Sequence, residues 1–170
     1  MEKYSRIKAL ISLDAIRYNF EQMKKNIKEG TKIIAVIKAD AYGHGAVPIA
    51  RMLEEFDYIW GFAAATAQEA LQLRKAGITR PILILGLVFE EYYKKLAEND
   101  VRMAVCDYET ARKFNKAAEA AGKKGLIHLA ADTGMTRIGF KDREESLEEI
   151  RRIAALPNVE IEGLFTHFAR

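Results

Sequence analysis

The chemistry of this sequence centres on Lys38, which directly follows five apolar residues at positions 33–37. An uninterrupted, mostly β-branched run of this length is typical of a strand buried on both faces of a parallel sheet. Ligands bind at the carboxyl ends of such strands, so Lys38 is expected at a functional rim. A desolvated amine there can form a Schiff base with an aldehyde. A lysine that ends a strand is also commonly a solvated charge, and the pattern alone leaves both interpretations open.

The segment after Lys38 predicts a tight turn that leads into a helix. Gly43 and Gly45 permit positive φ, and Pro48 stands where a helix would begin. Backbone amides at a helix start are a common site for phosphate. An amine that reacts with aldehydes, followed by a turn suited to phosphate, indicates pyridoxal phosphate, which carries both groups.

A longer stretch around Lys38 resembles a known signature. Residues 35–45, Ala-Val-Ile-Lys-Ala-Asp-Ala-Tyr-Gly-His-Gly, closely resemble the cofactor-lysine motif of bacterial alanine racemases, and the resemblance continues through residues 12–19, 132–139 and 163–168. It implies a pyridoxal-phosphate-dependent isomerase that interconverts L-alanine and D-alanine and supplies D-alanine for cell-wall peptidoglycan. It also implies a homodimer, with the amino acid alanine as the small-molecule partner.

The resemblance assigns roles to four residues. Lys38 matches the lysine that binds the cofactor and acts as the catalytic base specific for the D-enantiomer. Tyr42 matches a tyrosine that hydrogen-bonds the cofactor phosphate. Arg137 matches an arginine that contacts the cofactor's phenolic oxygen and the substrate carboxylate, and His167 matches a histidine that lies against the cofactor ring. On pattern alone, the last three would be a turn aromatic, a solvated arginine and a satisfied strand-end histidine.

One position departs from the commoner family pattern. Many members carry a carbamylated lysine that orients the arginine, and this chain has Ala130 at that position. Arg137 is therefore expected to use another partner, either Asp132 or a bound chloride. His44 stays open between an exposed turn residue and a donor that supports the site.

The second catalytic base of the family is a tyrosine from the second domain of a partner subunit. The resembled fold is an eight-stranded TIM-type β/α barrel followed by a β-rich carboxyl-terminal domain, and this chain resembles the first six barrel units. We expect the second domain, and with it the second base, to be absent from these residues. Racemisation by the isolated chain is therefore predicted to be very slow or undetectable.

The composition is that of an ordinary globular protein, with 49% hydrophobic and 30% charged residues in a chain of 170. The net charge of +3 is spread along the chain without a basic run, so nucleic acid is not an expected partner. No apolar run approaches a membrane span, and no signal segment is recognisable. The single cysteine fits a reducing cytoplasm. No metal site is predicted.

Strands and helices alternate along the predicted chain, as one α/β domain over residues 1–170. Strands are expected over 33–37, 58–63, 82–85, 101–106, 126–131 and 159–165, with a possible extra strand within residues 1–13, over 7–13. Asp14, Thr66 and Asp107 are the expected helix caps, with Glu69 completing a capping box. The inward faces of the later helices are expected to carry Phe89, Tyr92 or Tyr93, and Leu96; Ala111, Phe114 and Ala118; and Leu147, Ile150 and Ala154.

This alternation predicts parallel strands, in either a barrel or a doubly wound sheet. The family resemblance favours the barrel. Six of eight units would leave the first and last strands unpaired, which invites self-association of the chain.

Two other functions are compatible with the sequence. A single-barrel protein can bind pyridoxal phosphate without turning over a substrate, and it would have a complete barrel without a β domain. A structural fragment or scaffold would have no cofactor site, so the purified protein would not be yellow.

Overall fold

The structure is a computed structural model that describes residues 8–169. Six parallel strands alternate with helices within this range. The strands are β1 (Ile33–Val36), β2 (Ile59–Ala64), β3 (Ile82–Ile84), β4 (Val101–Val105), β5 (Gly125–Ala131) and β6 (Val159–Thr166). The helical segments are α1 (Leu13–Lys25), α2 (Lys38–Gly43), α3 (Ala46–Leu53), α4 (Ala67–Lys75), α5 (Tyr93–Glu98), α6 (Tyr108–Ala120) and α7 (Glu144–Ala154), with a 3₁₀ turn at Glu90–Tyr92.

The strands form one sheet in the order β1-β2-β3-β4-β5-β6, so each strand pairs with the one before it in the sequence. A doubly wound sheet reverses its strand order at a switch point, and this sheet does not. The strand order therefore favours the barrel over the doubly wound sheet. Strands β1 and β6 form the two edges, as predicted for a six-unit segment.

Side chains on the concave face show that the sheet curves strongly. Trp60 on β2 and His128 on β5 have ring centroids 5.5 Å apart, although three strand spacings would separate their backbones by about 14 Å on a flat sheet. Arg102 on β4 reaches Glu162 on β6 with two hydrogen bonds of 2.8 Å. The six strands therefore form a half-barrel.

The hydrophobic core lies between the convex face of the sheet and the helices. Parallel register aligns Ile84, Met103 and Ile127 on neighbouring strands, and all three are fully buried. Phe114 of α6 and Leu53 of α3 cover this face from the helical layer. Burying a side chain of this size contributes roughly 1.5–3 kcal/mol to stability.

Side-chain caps fix the starts of three helices, α1, α4 and α6. Thr66 accepts from the amide of Glu69 at 3.3 Å, and Asp107 accepts from the amide of Thr110 at 2.7 Å, which confirms both predicted caps. The cap of α1 is Ser12, which accepts from the amide of Ala15, so the prediction of Asp14 was wrong by two residues. Asp14 lies in the first helical turn, where a carboxylate is also favourable.

All six strands lie within one residue of their predicted bounds, but other predictions were wrong. Residues 8–12 form no strand, Leu13 begins α1, and the rest of the proposed amino-terminal strand lies outside the described residues. Phe89 is 79% exposed because it precedes the 3₁₀ turn, although Tyr93 and Leu96 are buried as predicted. No helix within residues 8–169 is long and apolar enough to cross a membrane.

The buried stripe of α7 is rotated relative to the prediction. Leu147 is 49% exposed and Ala154 is exposed, whereas Ser146 and Ile153 are buried and Ile150 is partly buried. Positions 146, 150 and 153 recur at helical spacing, so the helix turns a serine inward in place of a leucine. The stripe predicted for α6, in contrast, is confirmed.

Candidate active site

A cavity of about 300 Å³ opens at the carboxyl ends of the strands. Lys38 after β1, Arg137 in the loop after β5 and His167 after β6 all line it, so three of the four predicted site residues meet there. Its volume is in the range of small-molecule sites. The apolar part of its wall includes Val36, Ala63, Leu83, Met135 and Phe165.

Tyr42, the fourth predicted residue, does not line this cavity. Its ring is 62% exposed and its centroid lies 6.0 Å from Lys38 Nζ. This is the outer limit of a cation–π contact. Tyr42 therefore stands beside the lysine, at the entrance side of the site.

The backbone after Lys38 adopts an unusual conformation. Residues 39–42 have φ between 50° and 55° and ψ between 39° and 47°, which makes α2 a left-handed turn built from four residues other than glycine. A left-handed residue with a Cβ atom costs roughly 1–2 kcal/mol. Strain of this kind clusters at functional sites, where the surrounding structure must hold it. No sequence pattern predicts this turn, since only Gly43 and Gly45 were expected to have positive φ.

A carboxylate anchors the start of this turn. Glu69 Oε1 accepts from the amide of Ala39 at 3.0 Å, and Glu69 Oε2 accepts from the amide of Ala65 at 2.8 Å. The glutamate of the predicted capping box is therefore turned toward two loops, and only the Thr66 half of the box is formed. Glu69 is a site residue whose position relative to Lys38 the sequence did not predict.

A second carboxylate anchors the end of the turn. Asp40 Oδ1 accepts from the amide of Ala46, the first residue of α3, at 2.7 Å. An anion thus already occupies this helix start, which argues against the prediction that its amides hold a phosphate. His44 Nδ1–H donates to the carbonyl of Ala41 at 2.9 Å, since a carbonyl can only accept. The exposed His44 is therefore a donor that supports the turn.

The loop that carries Arg137 is organised by Asp132. Its Oδ1 accepts from the amides of Thr136 at 2.8 Å and Gly134 at 3.1 Å, and these bonds lower the pKa of Asp132. A hydroxyl contact of 2.7 Å between Thr133 and Thr166 ties the loop to β6. Of the two expected partners of Arg137, Asp132 forms no hydrogen bond or ion pair with it among residues 8–169 and instead bonds the amides of its own loop.

Arg137 itself is exposed at the cavity and forms no ion pair or hydrogen bond among residues 8–169. Ala130, which replaces the orienting lysine of the resembled pattern, is 2% exposed and lines the same cavity. His167 Nδ1–H donates to the carbonyl of Phe168 at 2.9 Å. The guanidinium therefore remains available to an anionic ligand.

Comparisons with known proteins identify the family of the chain. The family model for the alanine racemase N-terminal domain matches residues 11–170. An alanine racemase of Methanococcus maripaludis is 43% identical over 161 residues, which cover 95% of this chain and 43% of that relative. This chain belongs to the alanine racemase family.

Solved structures of the family show the same fold. The alanine racemase of Clostridium difficile 630 superimposes with a TM-score of 0.90 at 45% identity, covering 94% of this chain and 42% of that one. A histidine racemase of Leuconostoc mesenteroides subsp. sake superimposes with a TM-score of 0.84 at 32% identity, covering 94% of this chain and 42% of that one. The half-barrel thus corresponds to part of the TIM-barrel domain of alanine racemases. The chain spans less than half the length of these relatives.

Proposed function

We propose that this chain carries the cofactor-lysine part of a pyridoxal-phosphate-dependent alanine racemase. The observation that supports the proposal is that Lys38, Arg137 and His167, from three different loops, line one cavity in a member of this family. Lys38 would attach the cofactor covalently and serve as one catalytic base.

The residues present fit pyridoxal phosphate. Lys38 supplies an amine, His167 an imidazole ring, and the apolar wall a water-poor environment for the cofactor ring. The Tyr42 ring centroid lies 6.0 Å from Lys38 Nζ, and the Tyr42 hydroxyl is our candidate for the phosphate contact. When bound, the cofactor serves as an electron sink for the carbanion formed by loss of an α-proton.

Two residues of the chain then act on the substrate. Arg137 is permanently charged, and its forked donors match a carboxylate, so it would hold the α-carboxylate of the amino acid. The Lys38 amine would remove or return the α-proton on its own face of the cavity. This chain has Ala130 where many relatives carry the carbamylated lysine that orients the arginine. A bound chloride is the remaining candidate for orienting Arg137.

Alanine is the proposed substrate. The relatives named above are alanine racemases, and the histidine racemase among the similar structures is less identical to this chain, at 32%. Uptake of α-deuterium by histidine and by alanine, compared in deuterated water, tests this choice without requiring full racemisation. Faster uptake by histidine would move the proposal to that substrate.

Racemisation also needs a base on the opposite face of the carbanion. By family resemblance, that base is a tyrosine of a partner subunit in a homodimer, and a positioned base contributes roughly 10²–10⁴ in rate. We therefore expect the 170 residues alone to give very slow or undetectable D-alanine formation, and slow uptake of α-deuterium at most. Racemisation at an ordinary enzyme rate in deuterated water would contradict this expectation.

The proposal also includes the cellular role and location. We propose that the full enzyme supplies D-alanine for the cell wall and that it acts in the cytoplasm, as predicted from the single cysteine.

The deciding experiment is reduction of the chain and pyridoxal phosphate with borohydride, followed by peptide mapping. We expect the label on Lys38, its loss in Lys38→Ala, and its retention in Lys32→Ala, which alters the exposed lysine at the other end of β1. A label on another lysine would overturn the assignment. A label without any α-hydrogen exchange would favour a non-catalytic binding protein, and no label would favour a scaffold.

A further inference from the structure

We propose that Glu69 is a positioning residue that holds Lys38 in its reactive place by anchoring the left-handed turn. The inference rests on the proposed function of Lys38. The carboxylate acts through the backbone, because it accepts from the amide of Ala39, which is the peptide unit that directly follows Lys38.

The anchor joins two loops at the carboxyl ends of neighbouring strands. One Glu69 oxygen accepts from Ala39 after β1, and the other accepts from Ala65 after β2. Each oxygen thus has its own amide donor, and a charged acceptor makes each bond stronger than a neutral one would. Glu69 itself lies in the first turn of α4, whose start is capped by Thr66. A capped helix thus provides a rigid base for the carboxylate.

The turn needs such an anchor because its conformation is unfavourable on its own. Ala39, with φ of 50° and ψ of 47°, is the first of four left-handed residues. Because it stands at the start of the turn, its amide has no backbone acceptor within the turn. Without an acceptor at the Ala39 amide, this residue can relax to right-handed or extended backbone. Such a change rotates the peptide that follows Lys38 and moves its amine relative to Arg137 and His167.

The second carboxylate of the turn cannot replace Glu69. Asp40 holds the far end, through the amide of Ala46, and makes no contact with the Ala39 amide. Glu69 is the side chain that reaches this amide from outside the segment, from 30 residues farther along the chain.

Glu69→Gln is the sharpest variant because it preserves size, removes the charge that both hydrogen bonds use and turns an amide NH₂ group toward one of the two donors. The matched control is Glu54→Gln, since Glu54 Oε1 accepts from the amides of Thr79 at 2.7 Å and Arg80 at 2.9 Å, away from the cavity. Both variants remove the charge of a carboxylate that accepts from two backbone amides, through one oxygen in Glu54 and through both oxygens in Glu69. Only one of these anchors lies beside Lys38.

We expect hydrogen exchange of the Ala39 and Ala65 amides to become about tenfold faster or more in Glu69→Gln, as loss of a charged hydrogen bond predicts. The Glu54→Gln chain should keep Ala39 exchange unchanged. Borohydride fixation of pyridoxal phosphate on Lys38 should slow by a similar factor in Glu69→Gln and stay at the wild-type rate in the control. If Glu69→Gln fails to fold, Glu69→Asp, which is one methylene shorter, takes its place with the same expectation.

Unchanged Ala39 exchange in Glu69→Gln would overturn the proposal. Faster exchange with unchanged fixation on Lys38 would also overturn it, because Glu69 would then support the turn without positioning the lysine. Equal slowing of fixation in the Glu54→Gln control would assign the effect to general stability and refute the specific role. A wild-type chain without label on Lys38 would refute the proposed function, and Ala39 exchange would then still decide whether Glu69 holds the turn.

Discussion

The two ends of the half-barrel use cationic side chains in opposite ways. At the amino ends of the strands, Arg74 and Arg80 donate to backbone carbonyls of the strand ends and connecting loops. At the carboxyl ends, Lys38 and Arg137 line a cavity and form no hydrogen bond or ion pair among residues 8–169. Cationic side chains therefore stabilise the fold at one rim and remain available to a ligand at the other.

Arg80 shows the stabilising use in detail. Its guanidinium donates to the carbonyls of Glu54 at 2.9 Å, Phe56 at 2.7 Å and Ile59. Buried carbonyls need donors, and loops have no ladder to supply them. The Glu54 carboxylate in turn accepts from the backbone amides of Thr79 and Arg80.

Arg74 has the same function one loop farther on. It donates to the carbonyls of Ile78 at 2.8 Å, Arg80 at 2.7 Å and Asn99 at 2.9 Å. Burial lowers the pKa of Arg74, yet an arginine stays charged at any ordinary pH. The arginines at both rims carry the same charge. The two rims therefore differ in whether the guanidinium N–H groups are hydrogen-bonded to backbone carbonyls.

The largest expected stability difference comes from matched arginine truncations at the two rims. Arg80→Ala should lower the free energy of unfolding by about 2–4 kcal/mol, because three loop carbonyls lose a charged donor. Arg137→Ala should change it by no more than about 0.5 kcal/mol, since Arg137 is exposed and unbonded among the described residues. Urea denaturation of both variants measures the difference. Similar losses of unfolding free energy at the two positions would contradict the proposed difference between the two rims.

A smaller loss is expected at the carboxyl-end rim from Thr66→Ala. This substitution removes the acceptor for the Glu69 amide at the start of α4 and should cost about 0.5–2 kcal/mol. Cofactor fixation on Lys38 should change little, because the Glu69 carboxylate keeps its own donors. Thr66→Ser, which retains the hydroxyl, is the control, and an unchanged denaturation midpoint for Thr66→Ala would show that the cap contributes nothing.

The smallest expected effect concerns acid stability at the amino-end rim. Burial raises the pKa of Glu54, but hydrogen bonds from Arg80 and Thr79 outweigh it, so the folded pKa lies below the ordinary 4.5. Glu54 therefore adds stability above pH 4.5 that is lost as the pH falls through its folded pKa. Glu54→Gln should flatten this part of the stability profile, measured by thermal denaturation from pH 6 down to the folded pKa. An identical slope in both chains would contradict the prediction.

The regular part of the fold was predictable because its signals are local. Apolar runs placed six strands within one residue, and Thr66 and Asp107 were found as caps because an acceptor side chain three residues before its amide is visible in the sequence. The meeting of Lys38, Arg137 and His167 at one rim followed from parallel topology, which brings strand ends together.

The parts that sequence reasoning missed depend on tertiary contacts or on helix phase. In Ala-Asp-Ala-Tyr only the aspartate tolerates the left-handed region, and the turn is supported by Glu69 of α4, which is distant in the sequence. Phe89 and Leu147 were placed inward because a short window does not fix where a helix begins, and a shift of one residue rotates the buried face by about 100°. The alternative in which Asp132 partners Arg137 is not seen among the described residues, where Asp132 Oδ1 accepts from the amides of Gly134 and Thr136.

The sequential order of the sheet also bears on how the chain acquires its structure. Every strand pairs with its predecessor, as Phe62 pairs with Ile82 and Gly125 with Val159, so no strand waits for residues from far downstream. Such nearest-neighbour pairing keeps the contact order low for a parallel sheet and limits the loop-closure entropy of each step. During synthesis, each strand–helix unit can dock on the unit already made, and the growing edge moves forward with the emerging chain.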